Sequence, residues 1–273
     1  MIRPMAAKPG PRSGDPGRMT VIALKGIPEI RPGDDLGGLI VAAIERLLTG
    51  EPGFGPLRPD DVIVVTQKVV SKAEGAIVDL TSIVPRPEAL TFAERWQRDP
   101  RQIEVVLREA RRVVRMANGV LITETAHGFV CANGGIDASN VGPASGSIVT
   151  LLPVDPDRSA AGIRAAVRGH LAVDVPVIVS DSFGRPWRWG IVDVAIGVSG
   201  LLPLEDLRGS VDADGRTMSS TVRAVADEIA TAAELTLGKV AGRPVAIVRG
   251  ARPTRGEATI GEALIPSEWD LFR

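Results

Sequence analysis

Apolar residues along this chain fall into two patterns: short continuous β-branched runs that read as buried strands, and longer stretches with apolar residues three and four apart that read as helices. The runs at Thr20–Leu24, Asp61–Thr66, Gly119–Thr123, Phe129–Ala132, Gly146–Leu152, Val177–Val179 and Pro244–Val248 predict strands. Leu36, Ile40, Ala43, Ile44 and Leu47 form one stripe on a helix from about Leu36 to Leu48, entered through the proline-punctuated loop Gly26–Asp35, whose aspartates suit a helix cap. Arg101–Arg115 predicts a strongly charged amphipathic helix. Asp157–Gly169 predicts another, with Asp155 or Asp157 as its cap, and Ser219–Leu237 the longest. Pro85–Pro100 reads as irregular. The stretch before Thr20 is rich in proline and glycine and lacks apolar periodicity, which predicts a disordered tail over 1–19 ahead of one folded domain over 20–273.

Val175–Gly197, VPVIVSDSFGRPWRWGIVDVAIG, organises the rest. Its strand delivers Ser180, Asp181 and Ser182 to a sheet edge, and the turn after it gathers Arg185, Trp187, Arg188 and Trp189 before a second apolar run at Ile191–Val198. A surface hairpin with a solvated turn would look the same. Upstream, DVIVVT runs into Gln67, Lys68 and Lys72, where a lysine at a strand end can reach a phosphate or merely stand in solvent. In TAHGFVCANGGIDASNV (Thr125–Val141), Asp137 and Asn140 can aim at one hard cation or cap their own turn. His127 reads as structural, because His170 lies at no ligand spacing from it. Arg249, Arg252 and Arg255 form a further basic cluster.

Composition narrows the classes. A net charge of −1 over 273 residues argues against a general nucleic-acid or acidic-membrane binder, so an anionic ligand must be met by local lysines and arginines. No stretch nears the roughly 18 apolar residues of a membrane span, and no signal-peptide core opens the chain; both point to the cytoplasm. One cysteine, Cys131, excludes an intramolecular disulfide and reads as a small buried hydrophobe. There is no GxxxxGK[ST] loop, no GxGxxG after a strand and no GxSxG elbow. Acid-bearing loops beside basic clusters remain, and carboxylates that hold Mg²⁺ or Mn²⁺ near cations that hold phosphates are the parts of phosphoryl transfer.

Four stretches in order, VVTQKVVSKAEG, GFVCANGGIDASNV, VSDSFGRPWRWGIVDVAIGVSG and VRAVADEIATAAELTLGK, resemble the signatures of the coenzyme F-420-0:gamma-glutamyl ligases, and the likeness runs from about Thr20 to Arg252. The resemblance implies an α+β fold particular to that family, with mixed β-sheets, flanking helices, two lobes and an intertwined homodimer. It implies a GTP-dependent ligase that joins L-glutamate to coenzyme F-420-0 through an acyl phosphate, with two Mg²⁺ or Mn²⁺ per site and potassium as a further cation. By position, guanine-nucleotide contacts fall on Ile27, Pro28, Glu29 and Ile30, on Gln67, Lys68 and Lys72, on Asn140, and on the loop from Leu237 to Pro244 with Gly238 and Lys239. The metal site falls on Asp137, Asp181 and Ser182, and Lys239 stands where some members carry a further metal-binding acid or amide. Asp137, Asp181 and Lys72 would carry the catalysis, with Arg185 and Arg188 holding the anionic deazaflavin substrate. A deazaflavin- or flavin-binding redox or carrier protein, using Trp187 and Trp189 for stacking, and a metal-dependent phosphohydrolase are the competing readings.

Overall fold

The computed structural model describes residues 17–138, 146–238 and 241–271. In chain order its main elements are β1 (Thr20–Ala23), α1 (Leu36–Gly50), β2 (Val62–Thr66), α2 (Gln67–Ala73), β3 (Ile77–Asp79), α3 (Pro87–Trp96), α4 (Pro100–Glu109), β4 (Ala110–Ala117), β5 (Val120–Thr125) and β6 (Val130–Ala132). They continue with β7 (Ile148–Thr150), α5 (Pro156–Leu171), β8 (Val177–Arg185), β9 (Arg188–Ser199), β10 (Glu205–Asp206), β11 (Val222–Arg223), α6 (Val225–Leu237) and β12 (Val245–Arg249). This is a mixed α+β architecture.

The largest sheet has the order β1-β12-β2-β8-β9, with β2 and β8 parallel and the other pairs antiparallel. Its central strands are buried on both faces, which is why VIVV of β2, VIV of β8 and VAIV of β12 are continuous rather than alternating. Each fully buried aliphatic side chain there contributes about 1.5–3 kcal/mol relative to exposure. Helix α6 touches all five strands, while α5 packs on β8, β9 and α1. Gly197 permits this approach, since a Cβ there would lie 2.4 Å from the backbone of Pro156. The edge strand β9 is covered by acids from helix first turns: Asp227 of α6 accepts from the Ala195 amide at 2.9 Å, and Asp157 of α5 from the Val198 amide at 2.7 Å. Burial pushes both carboxyls above the usual aspartate range.

A second sheet, β4-β5-β6, packs with α3 and α4 around Ala89, Phe92, Ala93, Ile103, Val106 and Leu121. Three expectations change here and near α6. Pro85–Pro100 contains a helix, because Pro87 sits at its first turn, where a missing N–H costs nothing, and Ala89, Phe92 and Ala93 share its buried face. The helix expected over Arg101–Arg115 stops at Glu109, and ARRVVRMA becomes β4 by pairing with β5; cross-strand partners outweigh helix propensity. The helix expected from Ser219 starts only at Val225, since Arg223 is drawn onto Glu205 and Glu228 and pairs in β11.

The cavity at the carboxyl ends of β2 and β8

Parallel pairing of β2 with β8 ends at Thr66 opposite Ser180. There β2 turns directly into α2, while β8 continues as one arm of a hairpin with β9. The gap so created, beyond the carboxyl ends of two parallel strands, is a general place for ligands in such sheets. It holds a cavity of about 660 Å³. The polar stretch after Val179 is therefore both a hairpin and a cavity wall.

Five segments distant in sequence line it: Ile27–Ile30; Gln67, Lys68 and Lys72 on α2; Asp137; Asp181 and Ser182 on β8; and Gly238 after α6. Arg185 and Arg188 lie opposite each other at the hairpin tip, beyond Gly184 and Ile191, which form the last of the lining. Asn140 and Lys239 lie outside the described residues, as do residues 1–16 of the expected tail. Lining residues that the sequence reading passed over are Asp193 on β9 and Glu234 on α6. Both left a signal: Asp193 is an acid inside the apolar run IVDVAIG, and Glu234 falls one helical turn after buried Ala230.

Both lysines of α2 are engaged by acids from other loops. Lys68 Nζ lies 2.8 Å from Asp137 Oδ2, and Lys72 Nζ lies 2.5 Å from Glu29 Oε1 with its side chain only 7% exposed. Lys72, expected at a strand end that could be a solvated turn, is thus buried on a helix. Gln67 is buried and its amide donates to Ser71 Oγ at 2.5 Å and to the Leu151 carbonyl at 2.7 Å, tying α2 to the end of β7. The other wall is fixed by stacked rings. Phe183 of β8 meets Phe129 edge-on at 6.2 Å, and Phe129 stacks on His127, whose Nε2 lies 2.9 Å from the Pro153 carbonyl oxygen. His127 is structural, as its sequence context predicts. Cys131 is buried, and burial followed by the nearby Asp181 charge pushes its thiol up to about 12.

The arginine cluster near the C-terminus is elsewhere. Arg249 grips Asp61 through two N–H groups and lies over the Phe54 ring, and Arg255 donates to Asp174 at 2.6 Å. Asp61 and Asp174 precede β2 and β8, at the opposite end of the sheet from the cavity.

The donor chemistry fits a hard divalent cation. Asp137, Asp181 and Ser182 offer only oxygen, which suits Mg²⁺ or Mn²⁺. Among the described residues no three His, Cys, Asp or Glu side chains cluster as a metal cage. Magnesium sites built on one or two carboxylates and completed by substrate phosphates look like this. Charge agrees: among the described lining residues Glu29, Asp137, Asp181, Asp193 and Glu234 outnumber Lys68, Lys72 and Arg243, a balance that favours an added cation beside any polyphosphate.

Comparison with known proteins assigns the chain to a family. The family model of F420-0:gamma-glutamyl ligase matches residues 26–250. The chain belongs to the F420-0:gamma-glutamyl ligase family. Similar proteins include the coenzyme F420:L-glutamate ligase of Methanothermobacter thermautotrophicus, 41% identical over 93% of this chain and 99% of that protein. Those of Methanopyrus kandleri (46%, over 82% and 84%) and Methanocaldococcus jannaschii (41%, over 80% and 86%) bear the same name. The chain is therefore a ligase, and the family match spans every segment that lines the cavity.

Proposed function

We propose that this ligase uses GTP and a divalent cation to join L-glutamate to coenzyme F-420-0 by an amide bond, releasing GDP and phosphate. The observation that carries the reading is the meeting of Ile27–Ile30, α2, Asp137, Asp181–Ser182 and Gly238 in one cavity of about 660 Å³. A carboxylate is a poor electrophile. In the proposed sequence the acceptor carboxylate takes the γ-phosphoryl group of GTP, its oxygen bonding to phosphorus as GDP leaves. The glutamate amine then attacks the acyl carbon, loses a proton, and expels phosphate. Asp137, Asp181 and Ser182 would hold the cation, which supplies charge neutralisation at the phosphates. Lys72 and Lys68, positioned by Glu29 and Asp137, bring ammonium groups to the same wall, and Gln67 fixes α2 so that they stay there.

The same reading carries a cytoplasmic, two-lobed subunit in an intertwined homodimer. Val113, Met116, Val120 and Val130 on the second sheet are exposed apolar side chains that a partner subunit would cover.

Incubation with GTP, Mn²⁺ and coenzyme F-420-0, with and without L-glutamate, tests the reaction. A ligase gives full GDP release and a deazaflavin product heavier by one glutamyl group only when glutamate is present. Equal GDP release without glutamate would make the protein a phosphohydrolase, and deazaflavin binding with no product would make it a carrier.

A further inference from the structure

Asp193 stands on β9 directly across from Ser182 in the hairpin register, is 2% exposed, and borders the cavity. Its two carboxylate oxygens take different serines. Oδ1 accepts from Ser182 Oγ at 2.5 Å, and Oδ2 accepts from Ser180 Oγ at 3.0 Å, Ser180 itself being fully buried. The backbone carbonyl of Asp193 accepts from Thr231 Oγ1 of α6 at 2.7 Å, so the strand is pinned to the helix at the same residue.

We propose that Asp193 is a positioning residue for the cation site, acting through Ser182. A serine hydroxyl has one proton and two lone pairs, and unless its proton is claimed it rotates to suit whatever is near. Here Asp193 takes that proton, so the Ser182 oxygen turns lone pairs, not hydrogen, toward the cavity. A neutral hydroxyl becomes a defined acceptor for a cation. Ser180 holds the second carboxylate oxygen and so fixes the plane in which Asp193 presents the first. The logic is that of outer partners which orient metal ligands, whose removal typically weakens metal binding by about 10–100-fold. The proposal rests on reading Ser182 as a cation ligand.

A double-mutant cycle on Mn²⁺ affinity, read by the paramagnetic resonance of free Mn²⁺ with a non-hydrolysable GTP analogue bound, tests it without recourse to turnover. Asp193→Asn and Ser182→Ala should each weaken Mn²⁺ about tenfold or more. The double variant should bind no more weakly than Ser182→Ala alone, because in this proposal Asp193 acts on the ion through that hydroxyl. Additive losses would make Asp193 a direct ligand or a distant charge and overturn the proposal. So would an Asp193→Asn protein with unchanged Mn²⁺ affinity, or a Ser182→Ala protein that binds Mn²⁺ normally. Asp181→Asn separates the two levels: if it weakens Mn²⁺ while the other variants do not, only the role of Asp193 falls; if it too is silent, the cation site itself is misplaced. Should Asp193→Asn not fold, Asp193→Glu keeps both acceptor oxygens but displaces them by a methylene, and the same cycle is run with it.

Discussion

The two sheets that flank the cavity are stabilised differently. In the five-stranded sheet, β2, β8 and β12 are sealed on both faces by aliphatic side chains, and the largest apolar cluster of the molecule runs through them. In the three-stranded sheet, β4 is largely exposed and arginine-rich, its apolar cluster is small, and buried acids do much of the joining. Glu104 on α4 is gripped by Arg86 and Arg108, and Glu124 on β5 by Arg112 and Arg111. Asp181, Ser182 and Asp193 come from the first region, whereas Asp137 follows β6 of the second. The cavity thus joins a wall set by apolar packing to one set by ion pairs, and the two walls should fail under different conditions.

The largest effect is expected where both walls must contribute. Asp181→Asn and Asp137→Asn, one from each side, should each lower turnover on the order of a hundredfold or more while leaving the melting temperature unchanged, since the amide keeps shape and loses the charge a divalent ion requires. Normal turnover at saturating Mn²⁺, with normal metal affinity, would remove that residue from the ligand set. Stability separates the walls next. Ile178→Ala in the middle of β8, a side chain with no exposure, should cost about 2–5 kcal/mol; Leu121→Ala, equally buried but in the small cluster, should fall toward the lower end because fewer neighbours lose contact. Equal costs in chemical denaturation would show that the two regions unfold as one packing unit.

The same contrast governs what could be read from sequence. VIVVT and VPVIVS are legible because a strand buried on both faces must be continuously apolar, and the four signature stretches contain α2, Asp137, Asp181, Ser182 and Gly238 of the cavity lining. The strand ARRVVRMA is not, because its partners are a neighbouring strand and a carboxylate twelve residues away in sequence, which local periodicity does not record. Proline-flanked α3 was hidden by the same residues that start it. At the cavity, sequence located Lys72 and Asp181 but not the ion pair of Lys72 with Glu29, nor the bond between Ser182 and Asp193, because both are long-range pairings of side chains.

Acid should take the walls apart in order. Arg86 first, then Arg108, holds the Glu104 carboxyl down at about 2, so folding favours its charged form. Its stabilisation is present above the ordinary glutamate range and is lost as pH falls from there toward 2. Asp157 and Asp227, raised by burial, have the opposite sign, and the five-stranded sheet gains from their protonation as pH falls. With Trp187, Trp189 and Trp269 replaced by phenylalanine, the remaining Trp96, packed against the small cluster, should change its fluorescence at a higher pH than the far-ultraviolet signal of the whole chain. Glu104→Gln should flatten that early limb and lower the melting temperature at neutral pH by a few degrees. Coincident transitions would show that the ion-paired sheet is no weaker in acid than the apolar one.

The smallest effect is expected at the hairpin tip, where the apolar wall runs out into solvent. Pro186 and Trp187 make the turn, Trp187 with a left-handed φ of 55°, and Trp187 and Trp189 are exposed beside Arg185 and Arg188. The deazaflavin substrate proposed above would bring an aromatic ring carrying anionic groups, and guanidinium beside indole would suit both halves, pairing with phosphate through two N–H groups while rings stack. Because the tip begins where the cavity lining ends at Gly184 and Ile191, it can hold the acceptor without touching the nucleotide. Arg185→Ala and Arg188→Ala, assayed separately, should raise the Michaelis constant for coenzyme F-420-0 about three- to tenfold and leave that for GTP unchanged, the signature of a lost contact to one substrate only. If both variants handle the deazaflavin normally, the tip does not hold it. Arg249 and Arg255, committed to Asp61 and Asp174 at the far end of the sheet, could not take over, and Arg243 on the cavity wall would become the cation to replace next.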